Sequence, residues 1–368
     1  MFDIAVLRII WWVLMGVLFM GFAVMDGFDF GVAVLLPFVT RNETERSIVL
    51  NTIRPFWEGN QVWIILGAGA MFAAWPFIYA IAFSGAYFVI LLLLLSMGIS
   101  RPVSFKYRSK LPNLLWRRGW DWIVFFGGLM PSILLGLLVG DVLTGLPFTF
   151  DKSLRVTYSG NIAHLVNPFA LWCGSTSLAM FVMHGGLYLS IKTYDPIGRR
   201  AIKLSQLAAV FLILFFAGGG VWIAYYLPGY QVVSGGDPYG YSNPLHKEVI
   251  TLVGAWMHNY TRYSIAILMP ILGFAGTLGA LFLAPLGYRR FAFLFSGISV
   301  IGIIGTVGVS MFPFILPSSA DFTSSLLVWD SSSSELTLLV MLFAAIIFLP
   351  IIFIYTTWVY RVLRGKSR

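Results

Sequence analysis

The sequence predicts an all-α integral membrane protein with nine transmembrane helices, and three observations lead there. Of the 368 residues, 59% are hydrophobic and 11% charged, with a mean hydropathy of +0.86. A soluble domain carries about 45–50% apolar and roughly 25% charged residues, so most of this chain is not built to face water. The apolar residues fall in long blocks, each enough to cross ~30 Å of hydrocarbon at ~1.5 Å per residue. Lys and Arg gather in alternate loops between those blocks.

The spans are placed at 8–37, 52–74, 77–100, 120–143, 164–191, 203–227, 263–285, 291–313 and 335–361, in one transmembrane domain over 1–368 with no soluble domain. Continuous apolar runs give helices rather than barrel strands, because every backbone group must be satisfied within the bilayer. The loop after the first span holds Arg41, Arg46 and Arg54, and the one after the third holds Arg101, Lys106, Arg108, Lys110, Arg117 and Arg118. The fifth is followed by Lys192, Arg199, Arg200 and Lys203, the seventh by Arg289 and Arg290, and the ninth by Arg361, Arg364, Lys366 and Arg368. These loops contain nineteen of the 24 basic residues; Arg8, Lys152, Arg155, Lys247 and Arg262 lie on the other side. That split predicts an N-terminus outside and a C-terminus in the cytoplasm. Loops 228–262, rich in Gly and Pro, and 314–334, with Asp321 and Asp330 but no basic residue, are expected to cap the outer face. Trp11, Trp12, Trp120, Trp122, Trp256, Trp358 and Tyr360 lie near block ends, as an interfacial belt requires.

Several functions are excluded. The net charge of +9 lies in short loops, a pattern of topology and not of a nucleic-acid face. A single cysteine, Cys173, permits no internal disulfide and no Cys-ligated cluster. The first block is too long for a signal peptide and lacks a basic leader, so it is expected to be retained. Of four histidines, His164, His184, His246 and His258, only His184 is deeply embedded, and none stands at helical spacing from another to make a metal face. A lone His on an apolar helix is expected to pack rather than ligate haem.

Intramembrane acids are functional candidates, since each costs several kcal/mol, roughly, unless neutral, paired or wetted. Asp26 and Asp29 stand three apart on one helical face, in the cytoplasmic half of the first span. Glu58, Asn60 and Gln61 follow Trp57 where the second span enters from the same side. One reading joins Asp26, Asp29 and Glu58 in a proton-conducting polar seam open to the cytoplasm. The other makes Asp26 and Asp29 structural, paired with Arg101, Arg54 or backbone beside Gly27 and Gly31, where helices approach closely. Glu58 favours the first, with only Arg54 within a helical turn. Asp121 and Arg101 flank a basic loop and read as interfacial ion pairs. Asp141 is expected to reach water at the outer end of the fourth span.

The same residues resemble subunit II of the cytochrome bd ubiquinol oxidase family along almost the whole chain. The likeness is carried by Leu7-Arg8-Ile9-Ile10-Trp11-Trp12, Asp26-Gly27-Phe28-Asp29, Arg41-Asn42-Glu43-Thr44-Glu45-Arg46 and Trp57 with Gly59-Asn60-Gln61-Val62-Trp63. Phe72-Ala73-Ala74-Trp75-Pro76, Tyr107-Arg108-Ser109-Lys110, Trp120-Asp121-Trp122, Ser242-Asn243-Pro244-Leu245 and Met311-Phe312-Pro313-Phe314 continue it, and Trp329-Asp330 closes it. The resemblance implies a bacterial inner-membrane heterodimer with subunit I, which holds two b-type haems, haem d and the quinol site, while this chain ligates none. It implies reduction of oxygen to water by quinol, with membrane potential built by proton uptake from the cytoplasm and no pumping. Glu58 matches the family's acidic position on a proton path, with Asp26 and Asp29 as a further acid pair. A further family acid at the path's mouth, just before the Tyr107-Arg108-Ser109-Lys110 run, is replaced here by Lys106. Some members add small accessory subunits or a structural quinone. The rival reading is a secondary transporter binding a coupling cation at Asp26, Asp29 and Glu58, which predicts discontinuous helices and an internal repeat.

Overall fold

The computed structural model describes residues 3–367. The first apolar block forms α1 (Ile4–Met25) and α2 (Gly27–Val39), nearly continuous through Asp26. An amphipathic α3 (Glu43–Ile53) follows, its first turn capped by Asn42, whose side chain accepts from the Glu45 amide. α4 (Trp57–Ala74), α5 (Pro76–Gly85), α6 (Tyr87–Leu93), a π-helical turn over Leu94–Ser100 and α7 (Arg101–Tyr107) come next. The long helices are α8 (Leu114–Thr144), α9 (Pro168–Lys192) and α10 (Ile197–Tyr225). A short α11 (His258–Arg262) precedes α12 (Leu268–Leu283), α13 (Arg289–Met311) and α14 (Glu335–Val362).

Among the described residues, seven helical segments are long and apolar enough to cross a membrane, or eight if the bent pair α4–α5 counts as one span. Three expected spans differ in detail. The second starts at Trp57 rather than residue 52, because Pro55 lies in the turn that ends α3. The third is not one helix over 77–100: Pro76 starts α5 at 113° to α4, and a second break at Ala86 starts the helix that runs to Tyr107. Gly85 stands just before that break, where a Cβ would run into the Tyr158 ring. The fifth block folds as a 25-residue helix, yet it is too rich in small and polar residues to match an apolar span. α9 packs against α2, α8, α10 and α13, so its surroundings are protein rather than lipid.

Close approach explains α9. A Cβ on Gly31 of α2 would lie 1.9 Å from the Phe181 carbonyl, and one on Gly185 would lie 2.5 Å from the Val32 amide. Gly128 of α8 meets α2 the same way, 2.6 Å from the Ala33 Cβ. Helices in lipid gain nothing from hiding apolar surface, so tight backbone contact supplies the attraction. α14 lies at the other extreme, with Leu336, Val340, Phe343, Ile346 and Ile354 exposed.

The chain ends of the helices sort onto two faces. One carries three antiparallel hairpins: β1 (Phe148–Phe150) with β2 (Val156–Tyr158), β3 (Pro228–Gly235) with β4 (Lys247–Val253), and β5 (Phe314–Leu316) with β6 (Leu326–Leu327). The Gly- and Pro-rich loop is thus an ordered cap. Buried Arg8 holds it down, donating to the Pro238 carbonyl at 2.5 Å, the Gly240 carbonyl at 3.0 Å and the Ser332 hydroxyl at 2.8 Å. Beside it, Lys247 Nζ donates to Asp330 Oδ2 at 2.7 Å and to the Pro244 carbonyl at 2.6 Å. Burial pushes the Lys247 amine below, and the Asp330 carboxyl above, their ordinary ranges, each opposed by attraction to the other.

On the opposite, arginine-rich face the loops are cross-linked. Arg108 donates to Asp121 at 2.5 Å and to Glu43 at 2.8 Å, Arg200 to Glu45 at 2.7 Å, and Arg289 to Asp195 at 3.1 Å. The C-terminal segment joins them, with Lys192 Nζ donating to the Leu363 carbonyl at 2.5 Å.

The glycine contacts predict a contrast. Gly31→Ala should destabilise the detergent-solubilised protein by about 2–3 kcal/mol, the range of overpacking penalties. Gly16→Ala, with open space at its Cβ position, should leave the melting temperature unchanged.

Candidate functional site

At the junction of α1 and α2 the chain makes a single turn at Asp26. There the carboxylate is fully buried and meets the equally buried Arg101 guanidinium: Nη1 donates to Oδ1 at 3.0 Å, and Nη2 to Oδ1 at 3.1 Å and Oδ2 at 3.0 Å. Arg101, expected in a loop, is instead the first residue of α7, because the helix begun at Tyr87 continues beyond residue 100. Gly127 of α8 leaves room for its stem, a Cβ there lying 3.0 Å from Arg101 Cγ. The Phe30 ring lies under the guanidinium, 4.5 Å from centroid to Cζ. Arg101 therefore pairs with Asp26 in the interior, not with Asp121 at the interface. Asp121 takes Arg108 at 2.5 Å and lies 3.6 Å from Arg46.

One turn further, Asp29 is also fully buried. Asn60 Nδ2 donates to its Oδ2 at 2.8 Å, and Tyr360 of α14 donates to Asn60 Oδ1 at 2.9 Å. Asp29 Oδ1 has no hydrogen-bond partner among the described residues. Gln61 Nε2 reaches the Met97 carbonyl at 2.7 Å, one of the carbonyls in the π-helical turn, where the wider winding alters the backbone pairing. Trp57 is half-buried, its ring 6.1 Å from that of Phe105.

Glu58 is not in this cluster. Asn60 faces Asp29, and a residue two positions earlier on a helix points about 200° around the axis. Glu58 is accordingly exposed on the surface of the chain. The structure brings together Asp26, Asp29, Asn60 and Arg101, and leaves Glu58 on the outer side of the same helix. Lys106 is exposed in the last turn of α7, where a cation suits the helix C-terminus. Asp141, expected to reach water, is buried, with Oδ1 taking Asn167 Nδ2 at 3.0 Å.

Sequence reasoning missed Tyr360, which it placed only in the interfacial belt; no local pattern ties it to Asn60, 300 residues away. Arg8 enters the sequence reading as an outer-side charge and a motif residue, with no signal of its bonds to the hairpin loops.

His184 packs as expected for an embedded histidine. Nδ1 lies 2.7 Å from Ser296 Oγ and Nε2 lies 3.0 Å from the Val24 carbonyl, with the Phe293 ring stacked at 4.7 Å. Both ring nitrogens are engaged, so neither is presented for axial ligation of a haem. Among the described residues no three His, Cys, Asp or Glu side chains are grouped to hold a metal.

The model of the family described as cytochrome bd terminal oxidase subunit II matches residues 7–363. This chain belongs to that family. It is 45% identical over 366 residues to the cytochrome bd-I ubiquinol oxidase subunit 2 of Escherichia coli strain K12, covering 100% of this chain and 96% of the relative. Identity is 31% over 369 residues to the cytochrome bd ubiquinol oxidase subunit 2 of Bacillus subtilis, covering 98% and 97%. The solved bd oxidase from Geobacillus thermodenitrificans has the same fold, with a TM-score of 0.64 at 14% identity over 98% of this chain and 100% of that one. Membership in an oxidase-subunit family disfavours the transporter reading, although α4–α5 is a broken helix of the sort that reading predicted.

Two predictions follow from the site. Arg101→Ala strands a buried carboxylate and should cost about 3–5 kcal/mol, whereas the neutral pair Asp26→Asn with Arg101→Gln should cost less; thermal unfolding of the purified complex separates them. On the arginine-rich face, the bond from Arg200 holds the Glu45 carboxyl below its ordinary range. A lowered folded-state pKa contributes stability above the unfolded value, about 4.3, and loses it as pH falls through the lowered one. Glu45→Gln should therefore flatten the acid limb of a melting-temperature profile and leave the neutral region lower and level.

Proposed function

We propose that this chain is the haem-free subunit II of a quinol oxidase that reduces oxygen to water, and that it delivers cytoplasmic protons toward its partner. The carrying observation is the buried polar chain Asp26–Arg101 beside Asp29–Asn60–Tyr360, with Glu58 on the adjacent exposed surface of α4. The partner is a haem-bearing subunit I, where two b-type haems and haem d supply the redox chemistry and quinol binds. The seat is the bacterial inner membrane.

In this reading the arginine-rich face is cytoplasmic. Loops after α2, α7, α9, α12 and α14 meet there, and the hairpins cap the other side; counting α9 and the bent α4–α7 stretch as crossings gives nine spans, with the N-terminus outside. That sidedness follows the positive-inside rule. Each group has a separate task. Arg101 neutralises Asp26 and fixes the α1–α2 junction, so that acid is a positioning residue. Asp29 keeps one oxygen without a hydrogen-bond partner among the described residues and is the proton-holding carboxyl of the interior. Glu58 is the acid presented to the partner, and Trp57 and Gln61 fix the start of α4. Lys106 displaces the entrance from the position an acid takes in other members. Small accessory subunits and a structural quinone are further components of the assembled enzyme.

Glu58→Gln should leave assembly and haem absorbance unchanged, while quinol-driven oxygen consumption falls several-fold or charge build-up per oxygen drops. Normal turnover with normal charge movement would reduce Glu58 to a packing role. Asp29→Asn should show the same split, and Gly16→Ala should show none.

A further inference from the structure

Tyr360, near the C-terminal end of α14, is held in place by rings. It stacks on Phe56 at 4.7 Å between centroids and meets Phe28 edge-on at 6.3 Å. From there its hydroxyl donates to Asn60 Oδ1 at 2.9 Å, and Asn60 Nδ2 donates to Asp29 Oδ2 at 2.8 Å. Asn60 is 2% exposed and Asp29 0%, so water does not compete for either bond. The last helix of the chain thereby reaches an acid of α2 through a single amide of α4.

The two ends of an amide side chain have nearly the same shape, so packing does not choose between them. Hydrogen-bond partners do. A hydroxyl that gives its proton to the Oδ1 end leaves the NH₂ end for Asp29. Among the described residues the Tyr360 proton has no other acceptor. With the amide reversed, Asn60 Oδ1 would face Asp29 Oδ2 and the Tyr360 proton would be left over.

That orientation decides where Asp29 keeps a proton. Arg101 commits both terminal nitrogens to Asp26, and the side-chain donor to Asp29 is a neutral amide. Burying a carboxylate with no cation of its own costs far more than burying the acid. An oxygen that already accepts an N–H is the poorer seat for the proton. Oδ1 remains, the oxygen with no hydrogen-bond partner among the described residues. The Asp26 carboxylate stands close enough to accept from a protonated Asp29.

We propose that Tyr360 is a positioning residue for Asp29: by fixing the Asn60 amide, it assigns the proton to Oδ1 and makes Oδ2 the carbonyl oxygen that accepts from Asn60. This builds on the reading of Asp29 as the proton-holding carboxyl of the interior.

The test is infrared spectroscopy of the purified complex in the region of the carboxylic-acid C=O stretch, with Asp29→Asn identifying the band. An N–H donated to the carbonyl oxygen lowers its frequency. Tyr360→Phe keeps the ring on Phe56 and removes only the hydroxyl, so Asn60 is released and the band should move to higher frequency. Asn60→Leu deletes the donor and should move it the same way. Tyr188→Phe is the control. Its ring stacks on Phe28 at 4.0 Å within the same aromatic group, but its hydroxyl donates to the Thr52 carbonyl at 2.9 Å, away from Asn60. The band should stay in place there. A band unmoved in Tyr360→Phe or in Asn60→Leu overturns the proposal and leaves the proton on Asp29 standing. A band that moves as far in Tyr188→Phe reports loosened packing and overturns it too. If no band is lost in Asp29→Asn, that carboxyl holds no proton, and the proton-holding reading falls together with the proposal.

Discussion

A fully buried guanidinium clasping a fully buried carboxylate is the constraint around which this fold is arranged. Asp26 and Arg101 are 75 positions apart, and neither charge is tolerable in hydrocarbon without the other. Meeting this demand sets the turn between α1 and α2, the extension of the helix from Tyr87 through residue 101, and the glycine at 127. The neighbouring Asp29 is held by Asn60 and, through it, by Tyr360. A fixed ion pair thus stands next to an acid with one carboxylate oxygen left without a hydrogen-bond partner among the described residues.

Around that centre the packing divides by environment. α9 is enclosed by protein along most of its length and is rich in glycine, serine and close-fitting aromatics, whereas α14 faces outward and is built of large aliphatic and aromatic residues. Beyond the helices, two cations do on the hairpin face what Arg101 does inside. Arg8 ties α1 to two distant loops, and Lys247 ties β4 to the start of the last span through Asp330. Such contacts are directional and saturable, which suits loops that have little apolar surface to bury.

Much of this was legible in the sequence. Apolar block length placed most helices within a few residues, and the alternation of basic loops anticipated two faces that the cross-linked ends reproduce. Spacing alone sets Asp26 and Asp29 on one helical face, with Arg101 among their possible partners, whereas Asn60 reads only as a polar residue at the start of the second span. What escaped notice depended on distance. Tyr360 reaches Asn60 only in three dimensions, and Arg101 looked like a loop residue because hydropathy ends a span at the first charge, whereas the backbone continues if that charge finds a buried partner. Glu58 was grouped with the aspartates by depth, but depth says nothing of azimuth, and a two-residue offset turns it away from them. Asp141 near a span end suggested water; the Asn167 cap and the adjoining turn covered it instead.

The Arg8 anchor has a consequence for biogenesis. The side chain is synthesised with the first helix, but its hydroxyl partner Ser332 follows 324 residues later, roughly 15–60 s at ordinary elongation rates. Throughout that interval the guanidinium must stay at the aqueous rim, its aliphatic stem lying along apolar surface. The full set of bonds around Arg8 can therefore close only once both the loop holding Pro238 and Gly240 and the later one holding Ser332 have been made.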